Sequence, residues 1–97
     1  MNFGILGAGS IAGTMAETIQ TLNKSGCKDI SLYAVAAREL PRAQAFATQY
    51  GVQNAFGSYE EMLADPALDL VYIATPHSHH YQHIKLCAAH GKHVLCE

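Results

Sequence analysis

Three groups of residues in this chain have types and spacings that suit chemistry. The first is Gly7-Ala8-Gly9-Ser10-Ile11-Ala12, which matches G-x-G-x-x-[G/A]. In such a run Gly7 permits a tight turn, Gly9 lets a pyrophosphate approach the backbone, and Ala12 lets a helix pack closely on a strand. Ser10 and Ile11 would open that helix, whose free N–H groups and positive dipole end attract anions. The second is Arg38, 29 residues after Gly9 and directly after the small Ala37. An acid that grips a ribose 2′-hydroxyl usually stands near here. A small residue followed by Arg instead leaves room for a 2′-phosphate and supplies a guanidinium to hold it. The third is Thr75-Pro76-His77-Ser78-His79-His80, with His83 beyond it.

Each group also has a plainer reading. A glycine pair serves an empty turn as well, and its context of strand before and helix after is what favours a ligand. Arg38 could be a solvated charge at a helix start, with Glu39 turned toward the ribose and Arg42 either helping or lying at the surface. The histidines raise metal ligation, since His79 and His83 are four apart and His80 and His83 three apart. A closed zinc site wants three or four ligands, often with Cys or a carboxylate. No acid stands beside these histidines, so no metal is expected, and His90 and His93 read as surface positions.

The positioning elements follow from periodicity. Phe3 to Leu6 is a short apolar strand ending in glycine. From Ser10 to about Leu22, Ile11, Met15, Ile19 and Leu22 recur at helical spacing and mark one face. Asn23 to Asp29 reads as a loop, and Leu32 to Ala37 as a second buried strand. Pro41 suits the first turn of a helix whose inner face is Ala43, Phe46, Ala47 and Tyr50 and which Gly51 ends. Gln53 to Phe56 is a short strand. Ser58-Tyr59-Glu60-Glu61 is a capping box for a helix ending near Asp65-Pro66. Leu70 to Ala74 is apolar throughout, as a strand covered on both faces should be. A helix from about His79 to His90 closes at Gly91, and His93 to Cys96 is the last strand. Strands alternating with helices imply an α/β doubly wound parallel sheet of order 3-2-1-4-5, with a ligand site at the switch point over Gly7–Ala12 and Thr75–His80.

Bulk properties narrow the function class. The 97 residues allow one domain, and a hydrophobic fraction of 49% with 14% charged residues suits a globular one. A net charge of −2 with no basic stripe argues against nucleic acid. No apolar run approaches a membrane span, and Asn2 to Leu6 is too short for a signal-peptide core. Cys27, Cys87 and Cys96 are odd in number and form no C-x-x-C pair, so a reducing, cytoplasmic setting is expected.

Motifs in this order resemble the glucose–fructose oxidoreductase and inositol dehydrogenase (Gfo/Idh/MocA) family along the whole chain. The resemblance runs through Gly4 to Ala12, Ala36-Ala37-Arg38 with Arg42-Ala43 and Phe46-Ala47, Ser58 to Leu63 and Asp69 to Pro76. It ends in Gly91-Lys92-His93-Val94-Leu95-Cys96-Glu97, which in the family continues as Lys-Pro. The Ala-Ala-Arg ending and the histidine-rich Thr-Pro segment look most like the NADP-dependent dihydrodiol dehydrogenase branch. The resemblance implies an N-terminal Rossmann (NAD(P)-binding) domain, residues 1–97, paired in the family with a C-terminal α/β domain that carries substrate. It further implies an NAD(P)-dependent oxidoreductase moving a hydride between nicotinamide and a hydroxyl or carbonyl carbon of a sugar, cyclitol or diol. The cofactor would be NADP, or else NAD. The cofactor-binding set is then Gly7, Gly9, Ser10, Ile11, Ala12, Arg38, Thr75, Pro76, His77, His80 and Glu97. His80 matches a family histidine, whereas the family often has Asn where His77 stands. Glu97 would adjoin the motif lysine. No catalytic residue is assignable within these positions, so the chain by itself is expected to be inactive. The alternative from another class is a non-catalytic dinucleotide-binding sensor module, separated from an enzyme by whether the reading frame continues with Lys-Pro and a second domain. A homo-oligomer is expected, built on the open edge of the last strand or on an uncovered sheet face.

Overall fold

The computed structural model of the chain describes residues 1–26, 30–75 and 77–96. Its elements are β1 (Asn2–Leu6), α1 (Ser10–Lys24), β2 (Ser31–Ala36), α2 (Leu40–Tyr50), β3 (Asn54–Phe56), α3 (Tyr59–Leu63), β4 (Leu70–Ile73), α4 (His77–Ala89) and β5 (His93–Cys96). The strands form one parallel sheet in the order β3-β2-β1-β4-β5, as the alternation of strands and helices predicts. Among the described residues no helix is long and apolar enough to cross a membrane.

Helices cover both faces. On one side α1 and α2 pack over Phe3, Ile5, Leu32, Val35 and Tyr72. On the other, Leu6, Ala34, Ala36, Val71 and Ile73 meet Met62 and Leu63 of α3 and Cys87 of α4. Burial on both faces explains why β1 and β4 read as unbroken apolar runs. The register of β1 on β2 slips between Phe3 and Gly4, which leaves Tyr33 as an extra residue on β2. Through this bulge Tyr33 joins Ala34 on the α3 side, and its hydroxyl donates to Asp65 Oδ2 at 2.7 Å. That bond raises the Tyr33 pKa and lowers that of Asp65.

The ends of the helices match their sequence signals. Gly51 closes α2 in the left-handed conformation, and the Ser58 hydroxyl accepts from the Glu61 N–H at 3.2 Å to start α3. Two details differ from expectation. First, α4 begins at His77 rather than near His79. Second, the buried stripe of α1 is Ala12, Ala16 and Ile19, while Ile11 and Leu22 are exposed. The physical reason is proximity. A helix lying close on the sheet needs small residues against it. Ala12 and Ala16 therefore face it together with Ile19, Met15 is partly buried against the same core, and Ile11 and Leu22 are turned aside. Ile11, Thr14, Met15 and Thr18 instead line an open groove beside Tyr72.

Cys87 is fully buried, and burial pushes its thiol up to about 11. Its thiolate fraction near neutrality is therefore negligible. Iodoacetamide is expected to spare Cys87 in the folded chain and label it in denaturant, as peptide masses would show; labelling at equal rates in both states would refute this.

Candidate dinucleotide site

The site forms where neighbouring strands send their chains in opposite directions. β1 and β4 are paired up to Leu6 and Ile73, and beyond them the chain turns toward α1 on one side and α4 on the other. The split is fixed by backbone bonds: Gly7 N–H donates to Ala36 O at 2.8 Å, and Ala74 N–H donates to Leu6 O at 3.0 Å. This is the crevice at the carboxyl ends of a doubly wound sheet.

Gly7 takes φ +110°, a region that side-chain-bearing residues avoid, and a Cβ there would lie 3.2 Å from Thr75 Cγ2 and 3.4 Å from the Ala74 carbonyl. Gly9 caps α1 with an extended backbone, and a Cβ on it would meet nothing within 4 Å. Its exposed face is thus open to an incoming group. Gly13 N–H donates to Gly9 O at 3.1 Å across the turn, so the N–H groups of residues 10 to 12 precede the helical ladder. No acidic residue stands in that first turn to compete with an anion. Ala12 is fully buried beneath the turn, and Ile11 stands exposed at its rim.

Arg38 follows the end of β2, exposed to solvent, while Ala37 beside it is buried. Ala37 N–H donates to Phe56 O at 3.2 Å, which fixes the backbone from which Arg38 projects. Across the crevice Thr75 is buried, and its carbonyl pairs with His80 Nε2 at 2.6 Å. The Thr75 hydroxyl is not turned to the crevice. It lies 2.7 Å from His83 Nδ1, on the α4 side of the sheet. Tyr59 meets the His83 ring edge-on at a centroid distance of 5.1 Å, and His79 stacks on it at 5.8 Å. Burial, then the charges of His79, His80 and Arg38, hold the His83 imidazole below its ordinary value, against a smaller opposing pull from Glu60.

The structure therefore gathers Gly7, Gly9, Ile11, Ala12, Thr75 and His80 around one crevice, with Arg38 at the end of the adjoining strand. The backbones of Ser10 and His77 begin α1 and α4 there; their side chains, and all of Pro76 and Glu97, lie outside the described residues. His83 and Tyr59 were not picked out by sequence reasoning as part of this arrangement. The available signal was Cys87, four residues after His83, which places both on one helical face.

A family described as an oxidoreductase family with an NAD-binding Rossmann fold, Gfo/Idh/MocA, matches residues 1–97. The chain belongs to this family. It is 41% identical over all 97 residues to trans-1,2-dihydrobenzene-1,2-diol dehydrogenase of Homo sapiens, and it spans 28% of that relative's length. The fold superimposes with a TM-score of 0.89 on an NAD binding oxidoreductase from Klebsiella pneumoniae, at 30% identity, covering 99% of this chain and 26% of that one. It also matches a 3-ketoreductase from Actinomadura kijaniata in complex with TDP-benzene and NADP, with a TM-score of 0.86 and 25% identity, over 99% of this chain and 29% of that one.

Proposed function

We propose that this family member is the dinucleotide-binding part of an NADP(H)-preferring oxidoreductase that acts on a hydroxyl or carbonyl carbon of a diol, sugar or cyclitol. The observation that carries the reading is the pair of glycines at the mouth of α1: Gly7 in a conformation reserved for glycine, and Gly9 facing open space where a Cβ would stand in the way of a ligand. This cradle fits a pyrophosphate. Gly7, Gly9 and the first-turn N–H groups of α1 would hold it, Arg38 would pair with the 2′-phosphate, and the Thr75–His80 segment would flank the nicotinamide. Bound there, the nicotinamide supplies hydride transfer at C4. The chain's own work is binding and orientation.

The short coverage of the relatives supports assigning substrate binding and proton transfer to sequence beyond these 97 residues. A diol or a related polyol is the substrate class that the dihydrodiol dehydrogenase likeness favours. The related structures divide on cofactor, one named for NAD and one holding NADP, so the preference for NADP(H) rests on Arg38 and on the absence of an acid at Ala37.

Calorimetric titration of the purified chain with NADP+ and NAD+ tests this. NADP+ is expected to bind more tightly. Arg38→Ala should weaken NADP+ by about tenfold, the low end for a charge-assisted contact because Arg38 is exposed and screened, and leave NAD+ nearly unchanged. Equal affinities in the unaltered chain, or a loss shared by both cofactors in Arg38→Ala, would overturn the preference.

A further inference from the structure

Among the described residues two polar ones are buried, Thr75 and His83, and they are bonded to each other. Nothing in the dinucleotide reading uses His83. Its ring is held from three directions: by Thr75 Oγ1 at Nδ1, by the edge contact with Tyr59 of α3, and by His79 one turn earlier on α4. Thr75 in turn has one side-chain torsion that matters. With its hydroxyl drawn to His83, its methyl lies under Gly7, where a Cβ would be 3.2 Å away. Val71 and Ile73 of β4 face the layer that α4 covers, and the partner of the Thr75 hydroxyl, His83, lies in that layer.

Without His83 the hydroxyl is a buried polar group lacking a partner, and such a group seeks another. Rotation about χ1 offers it the two other staggered positions. Either rotation moves the methyl from beneath Gly7, whose carbonyl side leads into the phosphate-facing turn.

We propose that His83 is a positioning residue of the dinucleotide site: by holding the Thr75 hydroxyl in the α4 layer it fixes the Thr75 methyl as the floor of the Gly7 turn. The proposal rests on the dinucleotide reading above. His83 touches no ligand in it and acts through Thr75.

The test is a set of paired substitutions in the purified chain, read by NADP+ titration, by thermal unfolding, and by the NMR couplings that report the Thr75 χ1 rotamer. His83→Leu should weaken NADP+ binding about five- to tenfold and leave Thr75 averaging over rotamers. Thr75→Val alone should weaken binding too, because it loses the hydroxyl tether that sets the side-chain rotamer beneath Gly7. Joining Thr75→Val to His83→Leu removes both polar partners while keeping their shapes, so the unfolding temperature should recover toward that of the unaltered chain while affinity stays weakened, the tether being absent. His83→Asn, which can place an amide near the position of Nδ1, should keep both the affinity and the single rotamer. A merely structural role would lower the unfolding temperature of His83→Leu while leaving its NADP+ affinity and the single Thr75 rotamer unchanged. Should His83→Leu fail to fold, Thr75→Val and His83→Asn decide: weakened binding in the first with retention in the second supports the proposal, and equal binding overturns it. A folded His83→Leu that binds NADP+ within twofold of the unaltered chain also overturns it, leaving the dinucleotide reading intact. An unaltered chain that binds neither NADP+ nor NAD+ overturns both.

Discussion

Gly7→Ala is expected to abolish dinucleotide binding and to lower the unfolding temperature by roughly 5–20 °C, whereas Gly9→Ala should weaken binding at least about tenfold with a much smaller loss of stability. The two glycines are two residues apart and do different jobs. At Gly7 the backbone itself demands glycine, because φ is +110° and a Cβ would press on Thr75 and the Ala74 carbonyl. A side chain held in so sparsely populated a conformation costs about 1–3 kcal/mol, and the turn would shift to relieve it. At Gly9 φ is −91° and a Cβ meets nothing within 4 Å, so the folded chain accommodates alanine readily. The cost there is the N-cap difference between glycine and alanine, about 0.5–1 kcal/mol. The added methyl would occupy the approach to the α1 N-terminus, and a fall in affinity of at least about tenfold should follow. Thermal unfolding and calorimetric titration of both variants check this. A Gly9→Ala chain that binds NADP+ as well as the unaltered one would mean that no phosphate approaches this backbone.

The order of elements and the sheet topology were legible because both faces of the sheet are covered. Central strands such as Leu70–Ile73 then have no polar side to show, and a glycine follows β1 directly. The orientation of α1 was less so. Ile11, Met15, Ile19 and Leu22 are its largest apolar residues and share a helical stripe, but close packing on a sheet selects for small volume, and Ala12 and Ala16 are turned inward beside Ile19 while Ile11 and Leu22 are exposed. The bulge at Tyr33 left no mark in the sequence, since an extra apolar residue inside a buried strand looks like one more strand residue.

In the candidate site the parts set by backbone conformation could be read directly. A glycine at a strand end and another at a helix start state their own requirement, and the structure places both at the switch point. His83 could not be read this way. A histidine on a helix beside two others suggests a metal ligand or a wet surface, and only the packing of α4 on β4 shows that its partner is a threonine hydroxyl. Thr75 lies at the crevice as expected, yet the direction of its hydroxyl depends on which face of the sheet receives it, which one strand's sequence does not specify.

At Gly4 space, rather than conformation, excludes a side chain, and the position leads to a compensating pair. In the middle of β1 a Cβ on Gly4 would stand 2.7 Å from Leu68 Cδ1 and 3.3 Å from Met62 Sδ, both on buried side chains of the α3 layer. Gly4→Ala should therefore overpack that layer and cost about 1–3 kcal/mol, although alanine is otherwise the better strand residue. Leu68→Ala should cost about 2–5 kcal/mol through lost burial and the cavity left behind, lowering the unfolding temperature by roughly 10–30 °C. Since a whole domain is stable by only about 5–15 kcal/mol, either loss is readily measured. In the double variant the new methyl enters space that the leucine has vacated. Its clash disappears and part of the cavity is filled, so the pair should be no less stable than Leu68→Ala alone, a favourable coupling of about 1–3 kcal/mol. Denaturant unfolding of the four chains measures the cycle. Strictly additive losses would show that Leu68 yields to a Gly4 side chain without strain, and that this glycine is there for some reason other than the room it leaves.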